Sequence, residues 1–232
     1  MEDLYRDGLT TIRPDLDCYK HILVALSKSH SSKDSEHDLV GNEVDLIIFK
    51  INEQSITTDT ECFRAAIKTY CNSARYPSSS STSRGKTIHH NASRANDYLD
   101  DMSEMYYRSS LIVVKPSTVD YNNVLQAWSQ SRMNGAAQNA EKRLSEMEKE
   151  WRDGNEQIQP NASSYLYTIT AWKNSPQSLI TKVDAIMSLL NRMTDQYEEG
   201  NSDCRPTIQV YNSLIATFQV QIVVMRMTRR RY

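Results

Sequence analysis

The chain has 232 residues, of which 39% are apolar, and its formal net charge is −2. This is enough apolar sequence for a substantial core, whereas six glycines are too few for a sheet-rich protein of this length, so the composition indicates a helical fold. The near-neutral charge excludes a global basic field that would attract nucleic acid, although a local basic stripe along one face would still be sufficient for binding.

A helix-opening pattern recurs five times along the chain. A fixed residue is followed five positions later by an aromatic residue, which opens an apolar stripe at helical spacing. The fixed residues and their aromatic partners are Pro14 and Tyr19, Thr58 and Phe63, Pro116 and Tyr121, Pro160 and Tyr165, and Pro206 and Tyr211. Because proline does not continue a helix and the next residue is always Asp, Ser, Asn or Thr, each copy is predicted to begin a capped helix.

A second helix is predicted after the first in the better copies. Apolar residues alternate at spacings of three and four over residues 137–151 and 183–197, and each stripe is followed by a glycine, Gly154 or Gly200. A glycine at this point is typical of a left-handed turn that ends a helix. The sequence therefore predicts an all-α fold, built as an α-solenoid of stacked helical hairpins.

The spacing of the pattern divides the chain into units. The predicted units are 1–13 (the tail of a preceding repeat), 14–57 (repeat 1), 58–115 (repeat 2), 116–159 (repeat 3), 160–205 (repeat 4), 206–218 (the first helix of repeat 5) and 219–232 (an irregular tail). Repeat 2 is long because of a polar, serine-rich insertion at about 76–93, which we expect to be disordered since it has little apolar surface to bury.

Motifs for catalysis, metal binding and membrane insertion are missing from the sequence. The four cysteines form no C-x-x-C pair and are interpreted as reduced helix residues, so no metal and no cofactor is predicted. There is no phosphate-cradling glycine loop, no H-E-x-x-H and no nucleophile elbow, which predicts that the chain is not an enzyme and has no small-molecule substrate. No apolar run reaches the roughly 18 residues of a membrane span, so no membrane partner is predicted.

Two segments resemble a known family. Residues 121–131 (Tyr-Asn-Asn-Val-Leu-Gln-Ala-Trp-Ser-Gln-Ser) and 211–215 (Tyr-Asn-Ser-Leu-Ile), each with a proline five residues before its tyrosine, are similar to the first helix of pentatricopeptide repeats. The Ala-Trp pair, the long second helix and the Gly-Asn exit resemble the extended repeats of algal and diatom members. The resemblance covers about residues 1–218 and implies a right-handed, tetratricopeptide-like superhelix whose first helices line a groove for single-stranded RNA.

The resemblance also implies which residues contact RNA. In the family each unit reads about one base through the residue after the helix-opening aromatic and the residue after the next unit's proline, and a third residue packs against the base. In this chain Asn122 and Asn161 are the best-matching pair of readers, with Val119 as the packing residue, and the family associates this pair with pyrimidines. The further expected contacts are Lys20, Arg64 and Asn212 as first readers and Lys28 as a phosphate contact.

The other units fit the family less well. The departures are Asp59 as the partner of Lys20, Ser117 as the partner of Arg64, the acidic Asp17 and Glu61 at packing positions, and Leu166 with Thr207 as the readers of repeat 4. Acidic groups beside phosphates weaken binding, and leucine cannot hydrogen-bond a base. Asn161 also has an explanation without RNA, since asparagine is a good helix N-cap.

Two functional interpretations therefore lead, and an enzyme is the third and weakest. One is a helical-repeat protein that binds single-stranded RNA and acts in organellar RNA processing, stability or translation without catalysis of its own. The other is a tetratricopeptide-like scaffold for partner proteins. A basic first-helix face containing Lys20, Lys28 and Arg64 would favour RNA, and a neutral or acidic face would favour protein. The resemblance implies a mitochondrion or chloroplast, although no presequence is visible.

Overall fold

The computed structural model describes residues 14–28, 37–75, 84–108 and 114–229, and within these ranges the chain is all-α, as predicted, without a strand. The nine α-helices of this part are α1 (Leu16–Lys28), α2 (His37–Glu53), α3 (Thr60–Arg75), α4 (Arg84–Arg108), α5 (Thr118–Gln130), α6 (Ala136–Arg152), α7 (Ala162–Asn174), α8 (Leu179–Glu198) and α9 (Ile208–Arg229). Two short 3-10 segments, Glu156–Ile158 and Ser202–Cys204, follow α6 and α8.

The helices alternate between two sets of contacts. Each odd-numbered helix packs against the next odd-numbered helix, so that α1, α3, α5, α7 and α9 form a continuous row. Each even-numbered helix packs against the odd-numbered helices that precede and follow it in the chain. We refer to the odd-numbered helices as first helices and to the even-numbered helices as second helices.

The apolar stripes predicted for α3, α5 and α7 are buried in the contacts between helices, whereas in α9 Tyr211, Ile215 and Phe218 are 46%, 52% and 36% exposed. On α5, Tyr121, Leu125 and Trp128 are at most 4% exposed, and on α7, Tyr165 and Ile169 are fully buried. Burial of large aromatic and aliphatic side chains is the main favourable contribution to folding. Trp128 therefore belongs to the core between helices, as the stripe predicted.

Glycines end two second helices as predicted. Gly154 has a φ of 91° and Gly200 a φ of 107°, which lie in the left-handed region that favours glycine. In the following residues, the side chains of Asn155 and Asn201 accept hydrogen bonds from backbone N–H groups two positions later, at 3.3 and 3.2 Å. The chain is thereby turned into the 3-10 segment that leads to the next proline.

Arginines connect successive second helices through ion pairs. Arg94 on α4 donates to Asp45 on α2 at 2.9 Å, and Arg192 on α8 donates to Glu148 on α6 at 2.7 Å. Arg143 on α6 lies between them in sequence, is 5% exposed and pairs with Asp100 on α4. Hydrogen-bonded ion pairs of this kind fix the relative position of the helices that they join. The three arginines are spaced 49 residues apart, a regularity that the sequence analysis did not detect.

Two predicted irregular segments overlap helices. Residues 76–83 of the serine-rich insertion lie outside the described residues, but residues 84–93 form the beginning of α4, because the buried stripe of Ala92, Ala95 and Leu99 extends the helix towards its N-terminus. The predicted tail from residue 219 is helical as far as Arg229, since no proline or glycine follows Pro206. The predicted tail of a preceding repeat, 1–13, lies outside the described residues.

Candidate nucleic-acid interface

The predicted readers lie where one first helix meets the N-terminus of the next. We term these four contacts, α1–α3, α3–α5, α5–α7 and α7–α9, the first to fourth joints. In the first three joints the two predicted readers are within hydrogen-bonding distance of each other, although 39 to 53 residues separate them in the sequence. The fold therefore brings together the residue pairs that the resemblance selected.

The first joint is built on charge. Lys20 donates to Asp17 at 2.7 Å and to Asp59 at 3.4 Å, and the hydrogen bond to Asp17 is the main reason that the pKa of Lys20 is raised. Burial tends to raise the pKa of the Asp59 carboxyl, but the N–H of Cys62, at 2.9 Å, and the Lys20 ammonium outweigh it, and the pKa is held below its ordinary value of 3.8. Asp59 thus serves both as the N-cap of α3 and as the partner of Lys20.

The second joint is also an ion pair, with a buried carboxylate. The guanidinium Nε of Arg64 donates to both oxygens of Asp120, at 3.1 and 3.2 Å, and Nη2 donates to the Ser117 hydroxyl at 3.3 Å. Asp120 is 1% exposed, whereas the Arg64 side chain is 46% exposed. Asp120 also accepts hydrogen bonds from the N–H and the hydroxyl of Ser117, which completes the cap of α5. The sequence analysis identified Arg64 and Ser117 but missed the carboxylate that holds both.

The third joint is built from neutral amides. Asn122 Nδ2 donates to Asn161 Oδ1 at 3.3 Å, and the Ser164 hydroxyl donates to Asn122 Oδ1 at 2.7 Å. Asn161 Oδ1 in turn accepts from the backbone N–H groups of Ser163 and Ser164, at 3.0 and 3.1 Å, so Asn161 is the N-cap of α7 as predicted. Asn161 therefore caps a helix and faces the other reader at the same time.

The remaining predicted residues are placed differently. In the fourth joint Leu166 is half-buried against the core, and Asn212 on α9 is exposed. Val119 lies one helical turn before Asn122 on α5, with 65% of its surface exposed. Lys28 is exposed at the C-terminal end of α1, away from the joints.

The charges on the first-helix face largely compensate one another. Lys20 and Arg64 are paired with carboxylates, and Asp17 and Glu61 are exposed near them. Among the residues that the structure describes, Lys28 forms no ion pair, so it is the predicted cation most accessible to a phosphate. This part of the face is close to neutral and is not the basic stripe that would by itself indicate RNA.

The thiols of Cys62 and Cys204 are buried and protonated. Burial raises the pKa of each to about 12, so both stay protonated at neutral pH. In the described ranges no three His, Cys, Asp or Glu side chains converge as a metal site. The helices of these ranges include none that is both long and apolar enough to cross a membrane.

In comparisons with known proteins, no protein-family model matches this chain, and no curated protein matches it.

Proposed function

We propose that the chain is an α-solenoid of stacked helical hairpins, similar to pentatricopeptide repeats, and that it binds single-stranded RNA along the row of its first helices. The proposal gives the protein no catalytic role: it acts by occupying or remodelling a single strand. Support for the solenoid comes from the helix contacts, since every first helix packs against the next and is flanked by second helices.

The observation that carries the RNA proposal is the convergence of the reader pairs. Lys20 faces Asp59, Arg64 faces Ser117, and Asn122 faces Asn161, each pair at the joint between consecutive first helices. A surface that repeats once per unit and presents two side chains at each step suits a polymer with one base per step.

The third joint has the best chemistry for a base. It is uncharged, it displays amide N–H groups, and Val119 offers an exposed apolar surface beside it for stacking. We therefore assign the sequence preference of the protein chiefly to Asn122 and Asn161. The remaining joints position the protein along the RNA strand more than they select bases.

The site of action follows only from the family resemblance. Pentatricopeptide repeat proteins work mainly in mitochondria and chloroplasts, and we extend this proposal to the present protein, with roles in processing, stability or translation of organellar transcripts. Fractionation of cells that produce the tagged full-length protein tests this point, and a protein found outside both organelles would contradict it.

Equilibrium binding to a randomised pool of short single-stranded RNAs, at low and at physiological salt, tests the function. The wild type is expected to bind, more weakly at higher salt, and to enrich pyrimidines at one position. The Asn122→Ala, Asn161→Ala double variant is expected to lose the enrichment. The Asn161→Asp variant is a matched control for folding, because aspartate keeps the N-cap of α7 while it removes the amide donors.

A protein-binding scaffold is the second candidate, and the neutral first-helix face favours it. Lys20 and Arg64 are occupied by carboxylates, and repeat 4 offers Leu166 in place of a polar reader. If the folded wild type binds no RNA even at low salt, the RNA proposal fails. Identification of a peptide whose affinity falls in Asn122→Ala and in Arg64→Ala would then establish the scaffold.

A further inference from the structure

We infer that, in the second and third joints, the buried residue directly before the helix-opening aromatic orients the first reader of the preceding unit, and that Ser164 does this for Asn122. The inference rests on the proposed RNA interface and adds a position to it. The two readers do not by themselves determine which groups a joint presents to RNA, because a third, buried residue fixes the orientation of the first reader.

The register of this position repeats along the chain. Its occupants are Cys62, Asp120, Ser164 and Val210, which are all at most 1% exposed. In two joints of different chemistry the side chain at this position holds the first reader: Asp120 accepts from Arg64 Nε at 3.1 Å, and Ser164 Oγ donates to Asn122 Oδ1 at 2.7 Å. The fourth joint has two apolar residues at the corresponding positions, Leu166 and Val210.

The hydrogen bonds of the third joint permit one orientation of each amide. Asn161 must place its oxygen against the start of α7, because the two backbone N–H groups there can only donate. The atom of Asn122 that faces this oxygen, at 3.3 Å, is therefore Nδ2, and its Oδ1 faces Ser164. The single hydroxyl proton of Ser164 has two acceptors within reach, Asn122 Oδ1 at 2.7 Å and Asn161 Oδ1 at 3.2 Å, and the shorter distance assigns it to Asn122. The Ser164 oxygen itself accepts from the backbone N–H of Asn161 at 3.1 Å.

As a consequence, the third joint presents hydrogen-bond donors to a ligand. Both carboxamide oxygens are engaged internally, while both hydrogens of Asn161 Nδ2 and the second hydrogen of Asn122 Nδ2 have no partner among the described residues. Two neighbouring donors match the N3 and O2 acceptors of cytosine. Uracil instead presents an N3–H, which needs an acceptor, and Asn122 could offer one only if its amide turned over.

Ser164 is thus a positioning residue that acts through Asn122. Removal of its hydroxyl leaves Asn122 with one internal hydrogen bond instead of two, so that the amide can rotate and present Oδ1. The loss of one hydrogen bond corresponds to about a three- to tenfold change in an equilibrium constant. We expect the preference for cytosine over uracil at this position to fall by that factor in Ser164→Ala.

The test is a double-mutant cycle on the full chain, with RNAs that differ only by cytosine or uracil at the enriched position as the probes. Ser164→Ala is expected to reduce the cytosine preference in the wild-type background and to leave it unchanged in the Asn122→Ala background, because Ser164 acts only through that amide. An equal effect in both backgrounds would overturn the inference, as would an unchanged preference in folded Ser164→Ala.

A second readout needs no RNA. In the ¹⁵N–¹H spectrum of the free protein, Ser164→Ala should shift the side-chain amide signals of Asn122. Ser178→Ala, which removes a comparable cap from α8, should leave them in place. Unmoved Asn122 signals in Ser164→Ala would overturn the inference even if RNA binds. A failure of the wild type to bind RNA, with the shift present, would instead overturn the proposed function and leave the orienting role of Ser164 intact.

Discussion

The second and third joints have the same backbone arrangement but opposite chemistry. In the second, the Arg64 guanidinium lies against the buried Asp120 carboxylate, and in the third, the Asn122 amide lies against the buried Ser164 hydroxyl. The residue that follows the proline, Ser117 or Asn161, completes the helix cap in both. The backbone of the joint is therefore constant, and three side chains determine which hydrogen-bonding groups the joint presents.

This difference suits the second joint to stability and the third joint to recognition. An ion pair with a buried carboxylate holds its arginine firmly but leaves it little freedom to meet a phosphate. A neutral amide pair costs less to assemble and keeps free N–H groups facing outward. We expect the charged joints to contribute mainly to the stacking of the units and the neutral joint to contribute mainly to base selection.

The largest expected effect is on folding stability at the second joint. Asp120→Ala removes the partner of Arg64 and the capping contacts of Ser117, and we expect a loss of about 2 kcal/mol in the free energy of unfolding. The half-exposed Arg64 can turn to water, which keeps the loss below that of a fully buried broken pair. Ser164→Ala, the same position in the neutral joint, should cost only about 1 kcal/mol.

Urea unfolding monitored by circular dichroism measures both variants. Asp184→Ala, on the exposed surface of α8, is the control and should stay within about 0.5 kcal/mol of the wild type. Equal losses at Asp120 and Ser164 would contradict the distinction between a charged and a neutral joint.

A smaller effect is expected on the salt dependence of RNA binding. Lys28 has no ion pair to break among the described residues, so Lys28→Gln should reduce the slope of log affinity against log salt by about 0.7 in magnitude, the value for one phosphate contact on a single strand. Arg64→Gln should change the slope less, because Arg64 must leave Asp120 before it neutralises a phosphate.

Affinities measured for both variants over a series of salt concentrations give the slopes. A larger change for Arg64→Gln than for Lys28→Gln would show that the ion pair of the second joint opens readily in the complex, contrary to the comparison above.

The smallest effect is on the pH dependence of the first joint. The lowered pKa of Asp59 means that the folded protein binds fewer protons there than the unfolded chain, so this contribution to stability is present above the ordinary pKa of 3.8 and is lost as the pH falls through the lower folded value. In Lys20→Met the pKa of Asp59 should rise but stay below its ordinary value of 3.8, because the N–H of Cys62 still donates to the Asp59 carboxylate.

Titration of the Asp59 carboxyl by ¹³C NMR measures the shift. The third joint supplies the contrast, since Asn122 and Asn161 do not ionise and should show no transition of their own in the same range. An Asp59 midpoint that is identical in Lys20→Met and the wild type would show that Lys20 does not interact with Asp59 in the first joint.

Local patterns in the sequence predicted the repeated elements well. Tyr121 and Tyr165 open buried stripes, Asn161 caps α7, and Gly154 and Gly200 adopt the left-handed conformation, because each of these features depends on neighbours within a few residues. The pairing of Asn122 with Asn161 was implied only by the resemblance to pentatricopeptide repeats, and the structure places the two amides 3.3 Å apart.

Features that depend on pairs of units were missed. Asp120 and Ser164 were passed over because a residue before an aromatic has no signature of its own, and only packing shows that it lies beneath the reader of another unit. Arg143 pairs with Asp100, which is 43 residues away in the sequence, and no local sequence pattern predicts this pair. The boundary at Arg84 was missed because the polar, serine-rich composition was taken to indicate disorder, whereas tertiary packing extends α4 towards its N-terminus. The helix beyond residue 218 was missed because the repeat pattern breaks there, although no proline or glycine follows to stop the helix.

The side-chain amides of Asn122 and Asn161 offer the most direct test of RNA binding at the third joint. Single-stranded RNA from the enriched pool is added to the ¹⁵N-labelled full chain, and the amide signals are followed in ¹⁵N–¹H spectra. We predict that the signals of Asn122 and Asn161 shift with saturation, while that of Asn96, engaged by Arg143 among the second helices, does not move. Unshifted Asn122 and Asn161 signals at saturating RNA would contradict the account.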